Sequence, residues 1–356
     1  MQASLFGISR SNRDFSQSES WGKNQFNNSF PVALVCYMSS QNINSKYLIL
    51  DTNGSVAHST ITADALFGIA ATDPNLFFTF ESDFISYQRF VQGGLARIDL
   101  VTQDSASEHC LRALEIKLTA LPDNTTAELY EDRYGCELVV RPDTIVYQAL
   151  SLIKSFNNYR PELTALLEPS CSPITNWANT DDVGYYYPML VQAIENVLAS
   201  PFADEEPLVM QPIWKTEGKS PKLCYHCLDV FVWSNKALTR LYMEPSDRTT
   251  TLTSISRQQR TTIWLAKMLW DFALHGVVNF ENITRTLLYG TRNDKAFAIS
   301  GLGTHPFMRS PELTQPRITK QEIRNIILGG GEKFLSPERR FDAIIFNSPD
   351  LFGEDV

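Results

Sequence analysis

Several things are scarce in this sequence, and each scarcity removes a class of protein. No apolar run reaches the roughly eighteen residues a bilayer span requires, and the start MQASLFGISRSNRDF lacks the apolar stretch of a signal peptide. The reading is a cytoplasmic protein with no membrane partner. Positive charge is in deficit: 31 Lys plus Arg face 40 Asp plus Glu, a formal charge of −9. That argues against a basic coat for indiscriminate nucleic-acid binding and leaves room for a local basic cleft. Cysteine is sparse, with Cys36, Cys110, Cys136, Cys171, Cys224 and Cys227 spread over 356 residues, so these read as reduced thiols and not a disulfide framework. The Asn-x-Ser/Thr sequons beginning at Asn27, Asn53, Asn124 and Asn282 are then idle. Gly301-Leu302-Gly303 lacks the third glycine of a dinucleotide loop and no GxxxxGK[ST] occurs, which speaks against nucleotide hydrolysis.

What is present is an ordinary globular composition, 43% hydrophobic and 20% charged, in a chain long enough for one large domain or two. The first thirty residues are rich in Ser, Asn, Gln and Arg, with Phe15, Trp21, Phe26 and Phe30 among them, and read as an ordered arm in which Arg10, Arg13 and Lys23 could face a polyanion. PVALVCYM (31–38) reads as a buried helix or strand and KYLILD (46–51) as a strand, with Asn53-Gly54 as a turn. The spacing of Phe80, Phe84, Tyr87 and Val91 predicts a helix over 80–92, ended by Gly93-Gly94. LARIDLV (95–101) and CLRALEIKLTA (110–120) read as strands joined by a polar connection, and CELVV (136–140) as a strand before Pro142 and a helix through Ile145, Ala149, Leu152 and Ile153.

Beyond residue 160, EPSCSPITNWANTDD reads as a long loop or domain edge, followed by a helix near 185–199. PLVMQPIW (207–214) and KLCYHCLDVFVWS (222–234) read as strands around the turn KTEGKSP, with helices over 235–243, 258–275, 280–289 and 319–328. Residues 1–160 would hold the arm and a core, and 161–356 a helical and mixed extension, unless both form one continuous domain.

The chemistry concentrates in ALEIKLT. Side chains alternate along a strand, so Glu115, Lys117 and Thr119 share one face and Leu114, Ile116 and Leu118 the other. Asp99 lies in the preceding apolar strand and meets them if the two strands pair as a hairpin. Two carboxylates beside an ammonium form a hard-oxygen site for Mg2+, with Lys117 placed to hold or deprotonate a water. A Glu-x-Lys triplet alone says little, because Glu217-Gly218-Lys219 repeats it in a turn. The competing reading is a surface ion pair on a half-exposed strand.

Asp99, fifteen intervening residues and Glu115-Ile116-Lys117 resemble the pattern of PD-(D/E)xK nucleases. More narrowly, LFGISRSNRDFSQSESWGKNQFNNSFPVAL and LEIKLTALPDNTT resemble restriction endonucleases of the HindVP and HgiDI type. The resemblance implies that Asp99 and Glu115 bind Mg2+, that Lys117 assists the attacking water, and that Glu81 matches an extra acid some of these nucleases carry. Ile98 stands where the superfamily pattern has proline. It further implies a homodimer cutting both strands of a short palindrome, GRCGYC for this type, leaving 5′-phosphates, alongside a partner DNA methyltransferase. A twofold protein reading a twofold sequence gives one metal site to each strand.

Guanine suits bidentate Arg and adenine suits Asn or Gln. The loop after the metal strand, with Asn124 and Thr125, is therefore a candidate DNA reader, as are Arg133 and Arg141 after it. A second candidate is SDRTTTLTSISRQQRTTIW, where Arg248, Arg257 and Arg260 combine with threonines at a helix start. Cys224-Tyr225-His226-Cys227 has zinc-like spacing but no second Cys pair, and reads as buried thiols. The expectation is thus a mixed α/β PD-(D/E)xK core, with a four- or five-stranded sheet flanked by helices and a largely helical C-terminal extension, acting as a Mg2+-dependent, sequence-specific DNA nuclease. The rivals are a repair or structure-specific nuclease of the same core, and a noncatalytic DNA-binding protein.

Overall fold

The computed structural model describes residues 44–50, 56–115, 137–204, 208–209, 214–217, 220–223, 239–240, 243, 254–290 and 297–300. The N-terminal arm, the segment 31–38, the helix expected over 319–328 and the C-terminal tail lie outside them. So do Cys36, Cys136, Cys224 and Cys227.

The described residues begin with the antiparallel pair β1 (Ser45–Leu50) and β2 (Val56–Ile61), whose last pairing is Leu50 with Val56; Asn53-Gly54, read as a turn, lies outside them. The short strand β7 (Leu208–Val209) adds to the free edge of β1. After helix α1 (Ala63–Phe67) comes a second sheet of β3 (Leu76–Ser82), β4 (Ile98–Asp104) and β5 (His109–Leu114), antiparallel with β4 in the centre. The strand expected at 95–101 is β4, shifted three residues on, and the first part of the one expected at 110–120 is β5, while residues 116–120 lie outside the described set. Their turn is held by Asp104, whose carboxylate accepts from the Ala106 N–H and the Ser107 hydroxyl. Those bonds, the Ser107 hydroxyl foremost, hold the Asp104 carboxyl below its ordinary range. Among the described residues this sheet has three strands, fewer than the four or five expected.

The helix predicted over 80–92 is not one helix. Phe80 belongs to β3, and a 3-10 helix spans Ile85–Phe90. The three-to-four spacing arose from a strand end running into a short, tighter helix that buries Tyr87 and Phe90. Tyr87 packs on Phe84 and Tyr147, and Phe90 on Phe272, so this segment ties the sheet to the helices.

β6 (Glu137–Val140) leads into helix α2 (Pro142–Ser155), where proline occupies the first turn at no hydrogen-bond cost. β6 pairs antiparallel with β10 (Phe297–Ser300), bringing a late stretch of chain beside an early one. The loop read in EPSCSPITNWANTDD is present but shorter: it spans 172–179, between α3 (Arg160–Cys171) and α4 (Thr180–Ala199), whose ends take up the rest of that stretch. Pro161 sits in the first turn of α3 and Pro169 in its last, where neither breaks it outright. The strands β8 (Trp214–Glu217) and β9 (Ser220–Leu223) extend into the supposed turn KTEGKSP. Residues 224–234 lie outside the described set.

Helix α5 (Arg257–His275) is the axis of the helical part. Ser256 Oγ accepts from the Gln259 N–H and the Gln259 side-chain Oε1 accepts from the Ser256 N–H, closing its N-terminus reciprocally. Ile263, Trp264, Leu265, Ala266, Met268 and Leu269 are all buried, so α5 is apolar around its circumference. Such a helix must be enclosed, and α2, α3 and α4 pack against it. Helix α6 (Phe280–Thr286) follows, and the Leu287 carbonyl beyond it accepts from the Trp264 indole N–H at 2.8 Å.

One apolar core runs without a break from Phe84 to Leu287, crossing residue 160. The backbone joins the same halves: Val278 donates to the Phe90 carbonyl and accepts from the Gln92 N–H. Among the described residues no helix is long and apolar enough to cross a membrane. Cys110 and Cys171 are free thiols, and burial pushes the Cys171 thiol up to about 12.

Candidate active site

Register places the acidic residues. Leu100 pairs with Leu114 and Val101 with Ala113, so the next step of the same ladder sets Asp99 opposite Glu115, the residue just beyond β5. On the other side of β4, Phe80 pairs with Leu100 and Ser82 with Ile98, which brackets Glu81 against Asp99. Asp99 is therefore flanked by Glu115 on one neighbouring strand and by the position of Glu81 on the other, at one end of the described sheet. Residues paired in an antiparallel ladder project to the same face. Val101 and Ala113, two positions on, lie on that face and enter the helical core. The opposite face carries Phe78 and Leu100 and is covered by α1, where Phe67 packs edge-on to Phe78 and its carbonyl accepts from Thr102.

The carboxylate pair thus looks toward α2. Glu115 is 5% exposed, and its Oε1 accepts a 2.9 Å hydrogen bond from the hydroxyl of Thr144, itself fully buried near the head of α2. A hydrogen bond to a charged acceptor in such a place contributes about 1.5–3 kcal/mol. The Thr144 hydroxyl in turn accepts from the Arg141 N–H at 3.4 Å. One turn further, the Tyr147 hydroxyl donates to the Ala96 carbonyl, three residues before Asp99. Burial drives the Tyr147 phenol far above its ordinary range, and the carboxylates of Glu115, Asp83 and Asp143 push it the same way. Glu115, Asp83 and Asp143 thus make the surroundings of this phenol acidic, at the sheet end and the start of α2.

Glu81 departs from the expectation twice. It lies in β3 and not on a helix, and its φ of 48° is left-handed, which interrupts the pleat where its side chain would join the pair. Among the described residues no three His, Cys, Asp or Glu side chains converge closely enough to hold a metal ion. Of the ligands the sequence suggests, Asp99 and Glu115 are the two that the ladder sets opposite each other. That pair fits Mg2+, which characteristically takes one or two carboxylates and completes its octahedron with water or substrate phosphate oxygens.

The other sequence-derived candidates are scattered. Lys117, Lys23, Asn124, Thr125, Arg133 and Arg248 lie outside the described residues. Arg257 opens α5, but its side chain is not among those described. Arg141 is exposed and stands immediately before α2, three residues from Thr144. Arg260 overturns the surface reading: it is 0% exposed, with its guanidinium 4.6 Å from the centre of the Trp264 ring. The threonines beside it, Thr261 and Thr262, are buried too, so this part of the Arg and Thr run faces core and not solvent.

Sequence reasoning passes over Thr144, Tyr147 and Asp143, and weighs Asp83 only as a neighbour of Glu81. A signal existed in Arg141-Pro-Asp-Thr, a helix start directly after a strand, whose polar first turn must satisfy something nearby.

Comparison with known proteins bears on what this site serves. No solved structure matches the chain. The type II restriction enzyme HgiDI of Herpetosiphon aurantiacus is 43% identical over 353 residues, covering 99% of this chain and 98% of that one. The probable type II restriction enzyme HindVP of Haemophilus influenzae is 42% identical over 348 residues, covering 98% of this chain and 94% of that one. The family model described as HindVP restriction endonuclease matches residues 21–352, so the carboxylate pair and the helices behind it all fall within the matched region. The chain belongs to the HindVP restriction endonuclease family.

Proposed function

We propose that this family member, a type II restriction enzyme, hydrolyses both strands of duplex DNA at a short palindrome with Mg2+ held by Asp99 and Glu115. The observation that carries the reading is their placement: the ladder sets the two carboxylates opposite each other at one end of the described sheet, with Glu115 buried and bonded to a helix start. When bound, Mg2+ neutralises charge on the nonbridging phosphate oxygens and makes its water more acidic.

The chain's own residues do the rest. Asp99 and Glu115 supply fixed negative charge where a cation and a phosphate must meet. Lys117, two residues beyond Glu115, orients the attacking water or takes its proton. Arg141 at the head of α2 contacts a backbone phosphate, with Lys23, Asn124, Thr125, Arg133, Arg248 and Arg257 as further DNA contacts. Glu81 assists from the neighbouring strand. The resemblance extends the proposal to a homodimer cutting GRCGYC, to products ending in 5′-phosphate, to a PD-(D/E)xK core, and to a companion methyltransferase protecting host DNA in the cytoplasm.

The test is cleavage of a long unmodified DNA with and without Mg2+, by the wild type and by Glu115→Gln and Lys117→Ala, with the ends sequenced. Discrete fragments ending at one palindrome, lost in both variants and without metal, support the reading. Cutting that survives Glu115→Gln places the chemistry elsewhere.

A further inference from the structure

We infer that Thr144 is a positioning residue for Glu115, a role that rests on the metal reading of Glu115 proposed above. The hydroxyl has one proton to give, and it gives it to Glu115 Oε1 at 2.9 Å in a place from which water is excluded. It is itself oriented, because its oxygen accepts from the Arg141 N–H, the group that closes the first turn of α2. Thr144 is β-branched, so its χ1 has little freedom in a helix, and Pro142 fixes the backbone two residues before it. The arrangement therefore transmits the rigidity of a helix start to one carboxylate that follows the last residue of β5. Glu115 has the greater need of such support. It lies just past the end of its strand, whereas Asp99 is inside β4 with paired residues on both sides.

A ligating carboxylate is characteristically held by an outer hydrogen bond, and loss of that partner costs about 10- to 100-fold in metal affinity or activity. Tyr147 reinforces the geometry one turn on by holding the Ala96 carbonyl ahead of β4. The first two turns of α2 thus hold Glu115 directly, through Thr144, and the backbone ahead of Asp99, through Tyr147.

The experiment compares wild type, Thr144→Val, Thr144→Ser and Glu115→Gln as full-length protein. Two readouts are taken: Mn2+ affinity from electron paramagnetic resonance in the absence of DNA, and the Mn2+ concentration giving half-maximal cleavage. Thr144→Val should weaken Mn2+ binding about tenfold or more and raise the half-maximal concentration in proportion, while Thr144→Ser, which keeps the hydroxyl, stays within about threefold of wild type. If Thr144→Val does not fold, Thr144→Ala carries the same comparison. Wild-type Mn2+ affinity in a folded hydroxyl-less variant, with Glu115→Gln abolishing binding, overturns the role of Thr144 and leaves the metal reading standing. Wild-type Mn2+ binding and cleavage in Glu115→Gln overturns both.

Discussion

The guanidinium of Arg160, at the head of α3, reaches across to the tail of α5 and donates to the Ala273 carbonyl at 3.0 Å. It also lies over the Phe272 ring, and its Nη1 stands 3.0 Å from the point where a Cβ on Gly276 would be. Gly276 ends α5 with φ of +76°, so it is needed both for its backbone and for the room it leaves. Gly276→Ala should destabilise the protein by about 1–2 kcal/mol, from the left-handed backbone alone. Chemical denaturation should show a lower midpoint with an unchanged slope. No change in midpoint would mean that Arg160 and the helix end yield freely.

Two arginines from the sequence reading should now behave in opposite ways. Arg141→Gln removes an exposed charge at the head of α2, and should leave unfolding unaltered while weakening binding across DNA sequences and lowering the salt slope by about 1. Arg260→Gln removes a guanidinium buried against Trp264, and should cost on the order of 3 kcal/mol of stability. Urea unfolding and salt-dependent DNA binding on both variants separate the two roles. Equal effects on stability would contradict the placement of Arg260.

How far the sequence exposed this architecture depended on how local the cause was. Strands β4 and β5 were legible because alternation and a polar turn are nearest-neighbour signals, and their hairpin then dictates that Asp99 faces Glu115. Helix α2 was legible from Pro142 and a 3.6-residue period. Helix α3 was hidden because Pro161 and Pro169 count as breakers until their positions in the first and last turn are known. The Thr144 to Glu115 bond joins residues 29 apart, and no local pattern announces it. Arg260 misled because the Arg and Thr run looks solvated in sequence. Burial on every side of α5 is a property of the three helices packed around it.

Glu195 on α4 carries a pH signature. Its side chain is 27% exposed and its Oε2 lies 3.4 Å from Arg240 Nε. Burial raises its carboxyl above the ordinary value of 4.5, outweighing the opposing pull of Arg240. A carboxyl with a raised folded-state value binds its proton more tightly folded than unfolded. Its stabilising effect is therefore full below about pH 4.5 and lost as pH climbs through the raised value. The stability difference between wild type and Glu195→Gln should shrink, or turn against the wild type, as pH rises across that window. Melting curves of both proteins over a pH series check the sign, and a difference that grows with pH would refute it.

Glu81 holds a left-handed φ of 48° inside a strand, one position from Ser82, whose pairing with Ile98 is regular. For a side chain with a Cβ this conformation costs about 1–2 kcal/mol, whereas glycine adopts it freely at about 0.5–1 kcal/mol of unfolded-state entropy. Glu81→Gly should accordingly leave stability unchanged or raise it by up to about 1 kcal/mol, the reverse of what glycine does elsewhere in a strand. Ser82→Gly, at the adjacent position with ordinary strand backbone, should lose about 0.5–1 kcal/mol and is the control. Strain of this kind persists where something other than stability selects the residue, and Glu81 is bracketed against Asp99. If its carboxylate serves the metal pair, Glu81→Gly will be as stable as wild type yet need more Mg2+ for half-maximal cleavage. A variant that is stabilised and cleaves with wild-type Mg2+ dependence would show that the acid is idle and its backbone shape alone is retained.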